Sequence, residues 1–149
     1  MDSEQGRATD IAVRLLSQRE HSVAELLRKL AQRGIDQAVA QQCIDELASK
    51  GLQSDDRFTE AFVRSRIGRG QGPLKIKAQL YQRGIDPTMA DQAILCSEVD
   101  WDELASQVVQ KKFAVIDDQT SEMRGLRFLA QRGFTSEQAR SAIGALREI

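Results

Sequence analysis

The 149-residue chain has one histidine, His21, and only two cysteines, Cys43 and Cys96. A single histidine leaves no Ser/His/Asp or Cys/His set to assemble, and no cysteine or second histidine stands near it to complete a metal site. His21 directly precedes Ser22 and reads as a helix-entry residue. The two cysteines lie far apart without metal-ligand spacing, so reduced packing residues inside helices are expected. No apolar run approaches the length of a membrane span, and Met1–Thr9 is too polar for a signal peptide. The expected compartment is therefore the cytoplasm. Alternating β-branched runs are missing, so no strand reading competes with helix. Asp100, Asp102 and Glu103 match no calcium loop and suit the start of a helix. What remains is an all-α protein with no cofactor, no metal and nothing that looks catalytic.

What is present is a phrase written three times. Leu-x-Gln-Arg-Gly followed by Ile or Phe occurs at Leu30–Ile35, Leu80–Ile85 and Leu129–Phe134. Such self-similarity at a fixed period marks a repeat architecture. The Arg suits the negative end of a helix dipole, and Gly34, Gly84 and Gly133 can adopt the left-handed conformation that closes a helix. Asp36, Asp86 and Thr135 then stand as caps of a following helix, with Pro87 at a first helical position. Twelve residues before the glycines, Ser22, Gly72 and Ser121 are acceptable caps of the helix that the phrase closes. Ser22 with Glu25 forms a capping box, and Pro73 follows Gly72. Asp55 and Asp56 read as a further cap.

A third periodic stretch precedes each of these pairs: Ile11, Leu15 and Leu16; then Phe58, Ala61, Phe62 and Ser65; then Trp101, Leu104, Ala105 and Val108. The expected fold is an elongated tandem array of three three-helix repeats, about nine short helices in all. The boundaries are a flexible N-terminus at 1–7, then repeats at 8–51, 52–97 and 98–149.

The net charge of −1 conceals an asymmetry. From Arg57 to Arg83 seven basic residues face one acid, whereas Gly84–Gln110 holds six acids and no Lys or Arg. Such a dipolar arrangement favours oriented docking on a charged partner. A helical wheel puts Phe58, Ala61 and Phe62 on a buried arc, with Arg57 and Arg64 on one flank and Arg66 on the other. In the next helix Lys77 and Tyr81 share a flank, and Lys75 points more fully outward. With Arg69 these cations read either as a solvated face or as a contact surface. The Gly68–Pro73 connection invites a phosphate-loop reading, but it lacks the preceding strand and the Walker ending; a tight interhelical turn is the plainer reading.

The segments Asp56-Arg57-Phe58, Phe62-Val63-Arg64-Ser65-Arg66, Gly70-Gln71-Gly72-Pro73-Leu74-Lys75-Ile76 and Leu80-Tyr81-Gln82-Arg83-Gly84-Ile85 together resemble the RecX family, bacterial regulators of the RecA recombinase. Arg19-Glu20-His21-Ser22 with Glu25-Leu26 is similar to the family's first unit, and Asp100-Trp101 to the opening of its third. The likeness runs from about Ala8 to Ala145. It implies a monomeric, non-enzymatic inhibitor that binds the RecA–DNA filament and restrains its growth, ATP hydrolysis and strand exchange, in DNA recombination, repair and the SOS response. On that reading Arg57, Arg64, Arg66, Arg69, Lys75, Lys77 and Tyr81 are the candidate contact residues, with limited direct DNA contact. Phe58, Phe62, Ile76 and Leu80 hold that surface in shape, and Gly34, Gly84 and Gly133 belong to the scaffold. A direct DNA-binding protein using a helix-turn-helix-like unit stands as the alternative.

Overall fold

A computed structural model of the chain describes residues 3–147. Among these residues there are nine helices and no strand. They are α1 (Glu4–Gln18), α2 (Val23–Gln32), α3 (Gln37–Ser49), α4 (Asp55–Gly68), α5 (Pro73–Gln82), α6 (Pro87–Cys96), α7 (Trp101–Lys112), α8 (Gln119–Gln131) and α9 (Ser136–Arg147). The all-α class is as expected.

Most helix starts follow the caps read from the sequence. Ser22 accepts from the Glu25 amide at 3.1 Å while the Glu25 carboxylate accepts from the Ser22 amide at 3.2 Å, a complete capping box. Asp36 and Thr135 accept from the amides of Ala38 and Gln138, and Pro73 and Pro87 open α5 and α6. Three starts differ. The cap of α4 is Ser54, whose hydroxyl accepts from the Arg57 amide at 3.1 Å; Asp55 instead accepts from the Val23 amide, tying α4 to α2. Helix α8 is capped by Asp118, not Ser121, and is a turn longer at its start; Ser121 is the third helical residue of that box. Helix α1 begins at Glu4 under a Ser3 cap, so residues 4–7 are helical, where a flexible terminus was expected. Met1 and Asp2 lie outside the described residues.

The repeated phrase closes α2, α5 and α8 in one geometry. The amides of Ile35, Ile85 and Phe134 return to the carbonyls of Leu30, Leu80 and Leu129 at 3.0–3.1 Å. The preceding glycines have φ of +81°, +78° and +96°. This is the Schellman arrangement, and the Leu and the Ile or Phe are the apolar pair that accompanies it. All six of those side chains are buried, each stabilising the fold by about 1.5–3 kcal/mol relative to exposure.

The chain divides into two compact units. One comprises the residues up to Phe62 together with Leu80–Ala90, and the other Val63–Gln79 together with Asp91 onward, so the division passes through α4, α5 and α6. In the first, α1, α2 and α3 pack on one another around Ala8, Ala12, Leu26, Leu30, Cys43, Ile44 and Leu47. Small residues on α1 let the helix approach closely, and Ile11, Leu15 and Leu16 border the core rather than fill it. In the second unit α7, α8 and α9 enclose Ala105, Val109, Leu129, Phe134, Ala142 and Ile143. Phe58, Phe62 and Leu80 are buried in the first unit, and Val63 and Ile76 in the second. Ala61 is only half-buried. Cys43 is a core residue as expected, but Cys96 is exposed: it is the last residue of α6, just before a turn in which Glu98 takes a φ of +57°.

In two of the three closing turns the glycine itself lies at a joint. In the first unit the Ser22 hydroxyl donates to the Arg83 carbonyl at 2.8 Å, and a Cβ at Gly84 would collide with the Ala24 methyl. In the second unit the amides of Gly72 and Leu74 donate to the carbonyls of Arg132 and Gly133 at 2.7 and 2.9 Å. A Cβ at Gly133 would there collide with the backbone of Lys75. At the first joint the cap of α2 satisfies a carbonyl left over at the end of α5, and at the second the turn after α8 satisfies amides left over at the start of α5. Gly34 has nothing of this kind within 4 Å.

Candidate functional site

The basic run between Arg57 and Arg83 is distributed over both units. Arg57 is exposed, yet two of its donors are engaged inside the fold: Nε meets Glu20 at 3.0 Å and Nη2 the Gly51 carbonyl at 2.8 Å. Tyr81, on α5 of the same unit, is 45% exposed. The second unit holds the remaining five candidates. Arg64 and Arg69 are exposed and pair with no carboxylate among the described residues. Arg66 is half-buried in the last turn of α4. Lys77 forms an ion pair with Asp91 at 3.0 Å. Lys75, expected to point most fully outward, is half-buried because its backbone and Cβ lie against the Arg132–Gly133 turn. The single sequence run is therefore not one uniform face. Some of its cations stabilise the fold and others are offered to solvent.

Arg83 belongs to the stabilising set. Its guanidinium lies 4.7 Å from the Phe62 ring centroid, and its Nε is 3.6 Å from the buried carboxylate of Glu25. Glu25 also pairs with Arg19 at 3.2 Å. Burial would push the Glu25 carboxyl up, but the hydrogen bonds from Arg19 and from the Ser22 amide outweigh it, and the group is held below its ordinary range. Beside it His21 is buried, with Nδ1 3.0 Å from the Arg19 carbonyl and Nε2 3.3 Å from the Lys29 ammonium. The ammonium can only donate, so Nε2 accepts, and the neutral ring donates from Nδ1. Burial, opposed by the bond to the Arg19 carbonyl and reinforced by the charges of Arg19 and Lys29, lowers the pKa of His21. Nothing in the one-dimensional pattern pointed to this cluster, because its members come from three separate segments.

The Gly68–Pro73 turn does not cradle phosphate through its backbone. The amides of Arg69, Gly70 and Gln71 bond back to α4, and those of Gly72 and Leu74 to the α8–α9 turn. With Pro73 lacking an N–H, no amide from Arg69 to Leu74 is left for an anion. Asp100 is the cap of α7 and Glu103 accepts from Gln107 at 3.3 Å. No group of three or more His, Cys, Asp or Glu among the described residues could hold a metal ion. None of the described helices is long and apolar enough to cross a membrane. Three further cations, Lys111, Lys112 and Arg132, stand around Arg69. The signal available for two of them was the Lys-Lys pair that closes α7.

Family models describe two parts of this arrangement. Residues 8–47 match the first three-helix domain of RecX and residues 54–94 match the second. The chain is 42% identical over 152 residues to the regulatory protein RecX of Halorhodospira halophila, covering 98% of this chain and 94% of that protein. The chain belongs to the RecX family. A further RecX regulatory protein, from Chromohalobacter salexigens, is 42% identical over 96% of this chain and 95% of its own length. The crystal structure of RecX from Lactobacillus salivarius has the same fold, with a TM-score of 0.83 at 21% identity and 98% of each chain covered. This RecX chain thus carries the family's first and second three-helix domains, with the basic run falling inside the second.

Proposed function

We propose that this RecX protein is a non-enzymatic inhibitor of the RecA recombinase, binding the RecA–DNA filament and restraining its extension, ATP hydrolysis and strand exchange. The observation that carries the reading is the charge on the second three-helix domain. Within a family of regulatory proteins, Arg64 and Arg69 are exposed without a carboxylate partner, on a run where seven basic residues meet one acid. In the second unit Arg64, Arg66, Arg69, Lys75 and Lys77 supply contacts; in the first unit Tyr81 supplies one and Arg57 braces the start of α4. Acidic protein surface and filament phosphates are the complementary partners. No cofactor takes part, and the protein acts as a monomer in the cytoplasm.

The helix-turn-helix alternative needs basic or amide side chains on a recognition helix. Helices α3 and α6, which follow the closing turns of the first two triplets, carry no Lys or Arg. Gln37, Gln41, Gln42 and Gln92 could meet base edges, but without a cation to meet the flanking phosphates α3 and α6 are poor groove readers. The double substitution Lys75→Glu with Lys77→Glu reverses two charges on the contact surface. It is expected to weaken co-sedimentation with the RecA–DNA filament by about tenfold, roughly 1.4 kcal/mol, while helical circular dichroism is retained. Undiminished binding and inhibition by that variant would overturn the surface assignment.

A further inference from the structure

We infer that a groove in the second compact unit, bounded by Arg69, Lys111, Lys112 and Arg132, binds closely spaced phosphates directly, with no recombinase present. The groove has a volume of about 480 Å³, within the range of ligand-binding clefts. Its walls come from three segments. Arg69 stands in the turn after α4, Lys111 and Lys112 end α7, and Arg132 caps α8. Phe128 lies beneath two of the cations, with the Arg132 guanidinium carbon 5.0 Å and the Lys112 ammonium 6.0 Å from its ring centroid. Phe113 supports that ring edge-on at 5.8 Å.

The bland account of these cations is that they neutralise helix C-termini. Three helices end here, α4, α7 and α8, each bringing roughly half a negative charge, about −1.5 together. Four unit cations exceed that by more than two. No carboxylate lines the groove, and none of the four cations forms an ion pair among the described residues. Some cations elsewhere in the fold do have carboxylate partners, as with Arg57–Glu20, Lys77–Asp91 and Arg147–Glu122. Holding like charges together costs energy that cation–π contact with Phe128 only partly offsets.

The donors point to phosphate rather than carboxylate. Arg132 spends one N–H on the Arg69 carbonyl at 3.3 Å, leaving the rest of its fork open. The ammonium groups of Lys111 and Lys112 and a second guanidinium complete the set. A carboxylate is satisfied by one Arg in its plane, whereas the oxygens of neighbouring phosphates accept from several cations at once. Free oligophosphate and the backbone of single-stranded nucleic acid share this chemistry. The inference goes beyond the proposed function, because it needs no contact with another protein.

The full-length chain would be titrated with inorganic tripolyphosphate by calorimetry and with fluorescein-labelled oligothymidylate by anisotropy, with polyglutamate as a competitor. Lys111→Glu with Lys112→Glu, and separately Arg132→Gln, should each keep the helical circular dichroism. Each should weaken whichever phosphate probe binds, the double variant by at least tenfold. For the oligonucleotide, the slope of log affinity against log salt should fall by about 1.4 in the double variant, about 0.7 for each lost phosphate contact. Binding of tripolyphosphate assigns the groove to small polyanions; binding of the oligonucleotide alone assigns it to the phosphodiester backbone. Either outcome, lost in the variants, supports the groove. No binding of either probe at low salt, binding unchanged in both variants, or displacement by equimolar polyglutamate overturns it.

Discussion

Replacing Gly133 by Ala should cost far more than the same replacement at Gly34, although the two residues occupy equivalent places in the repeated phrase. Both have positive φ, +96° and +81°, so a Cβ at either site incurs the left-handed penalty of roughly 1–2 kcal/mol. At Gly34 nothing lies within 4 Å of the added methyl, and the cost ends there. At Gly133 the methyl meets the Lys75 amide nitrogen at 2.6 Å, and it cannot be relieved by rotating a flexible side chain. Backbone displacement of that kind adds about 1–3 kcal/mol, for a total of roughly 2–5 kcal/mol. It would also pull the Arg132 and Gly133 carbonyls from the amides of Gly72 and Leu74. Urea unfolding followed by circular dichroism measures the difference. With a slope of about 2 kcal/mol/M, the midpoint of Gly133→Ala should lie roughly 0.5–1.5 M below that of Gly34→Ala. Hydrogen exchange should show lost protection at Gly72 and Leu74 in the former only. Equal midpoints for the two variants would refute the view that the phrase acts as a joint.

Other consequences concern the buried cluster of the first unit. His21 is neutral in the fold with its pKa lowered from 6.5, so below pH 6.5 the unfolded chain takes up a proton that the folded chain refuses. Stability attributable to this residue is complete above that pH and declines on acidification toward the lowered folded value. Urea midpoints between pH 7.5 and 5.5 should fall in the parent protein and fall less in His21→Asn; identical slopes would contradict the assignment. Glu25→Gln removes the charge that Arg19, Arg83 and the Ser22 amide share. It should destabilise by about 1–3 kcal/mol at neutral pH, with the loss shrinking as pH drops through the depressed carboxyl pKa; a pH-independent loss would argue against charge as the cause.

The repetition in the chain was legible because the Leu, the Gly and the Ile or Phe of the phrase each have a local duty. Leu and Ile form the apolar pair of the closing turn, and Gly supplies the positive φ, so both show in one dimension. Caps were readable where one candidate stood in the right place, as with Ser22 and Asp36. They were misread where two competed: Ser54 over Asp55, and Asp118 over Ser121. In both cases the helix starts earlier, by one turn at α8, and only the three-dimensional partners decide. The joints at Gly84 and Gly133 were invisible, because Ala24 and Lys75 lie far away in sequence. The candidate surface suffered similarly. A run of cations was evident, but which of them meet partners in the fold depended on Glu20, between α1 and α2, on Asp91, in α6, and on the Gly51 carbonyl, which no side-chain pattern marks. The gathering of Arg69, Lys111, Lys112 and Arg132 needed the packing of α7 and α8 to appear at all.

The central claim is that this RecX protein restrains a recombinase filament, and DNA-dependent ATP hydrolysis by the cognate RecA tests it most directly. With the protein titrated in from well below equimolar, hydrolysis should fall in a dose-dependent manner. Inhibition at small ratios indicates blocked filament ends, and a need for near-equimolar protein indicates coating of the groove. Hydrolysis that stays constant up to and beyond equimolar protein, with filament and RecX both intact, would contradict the account.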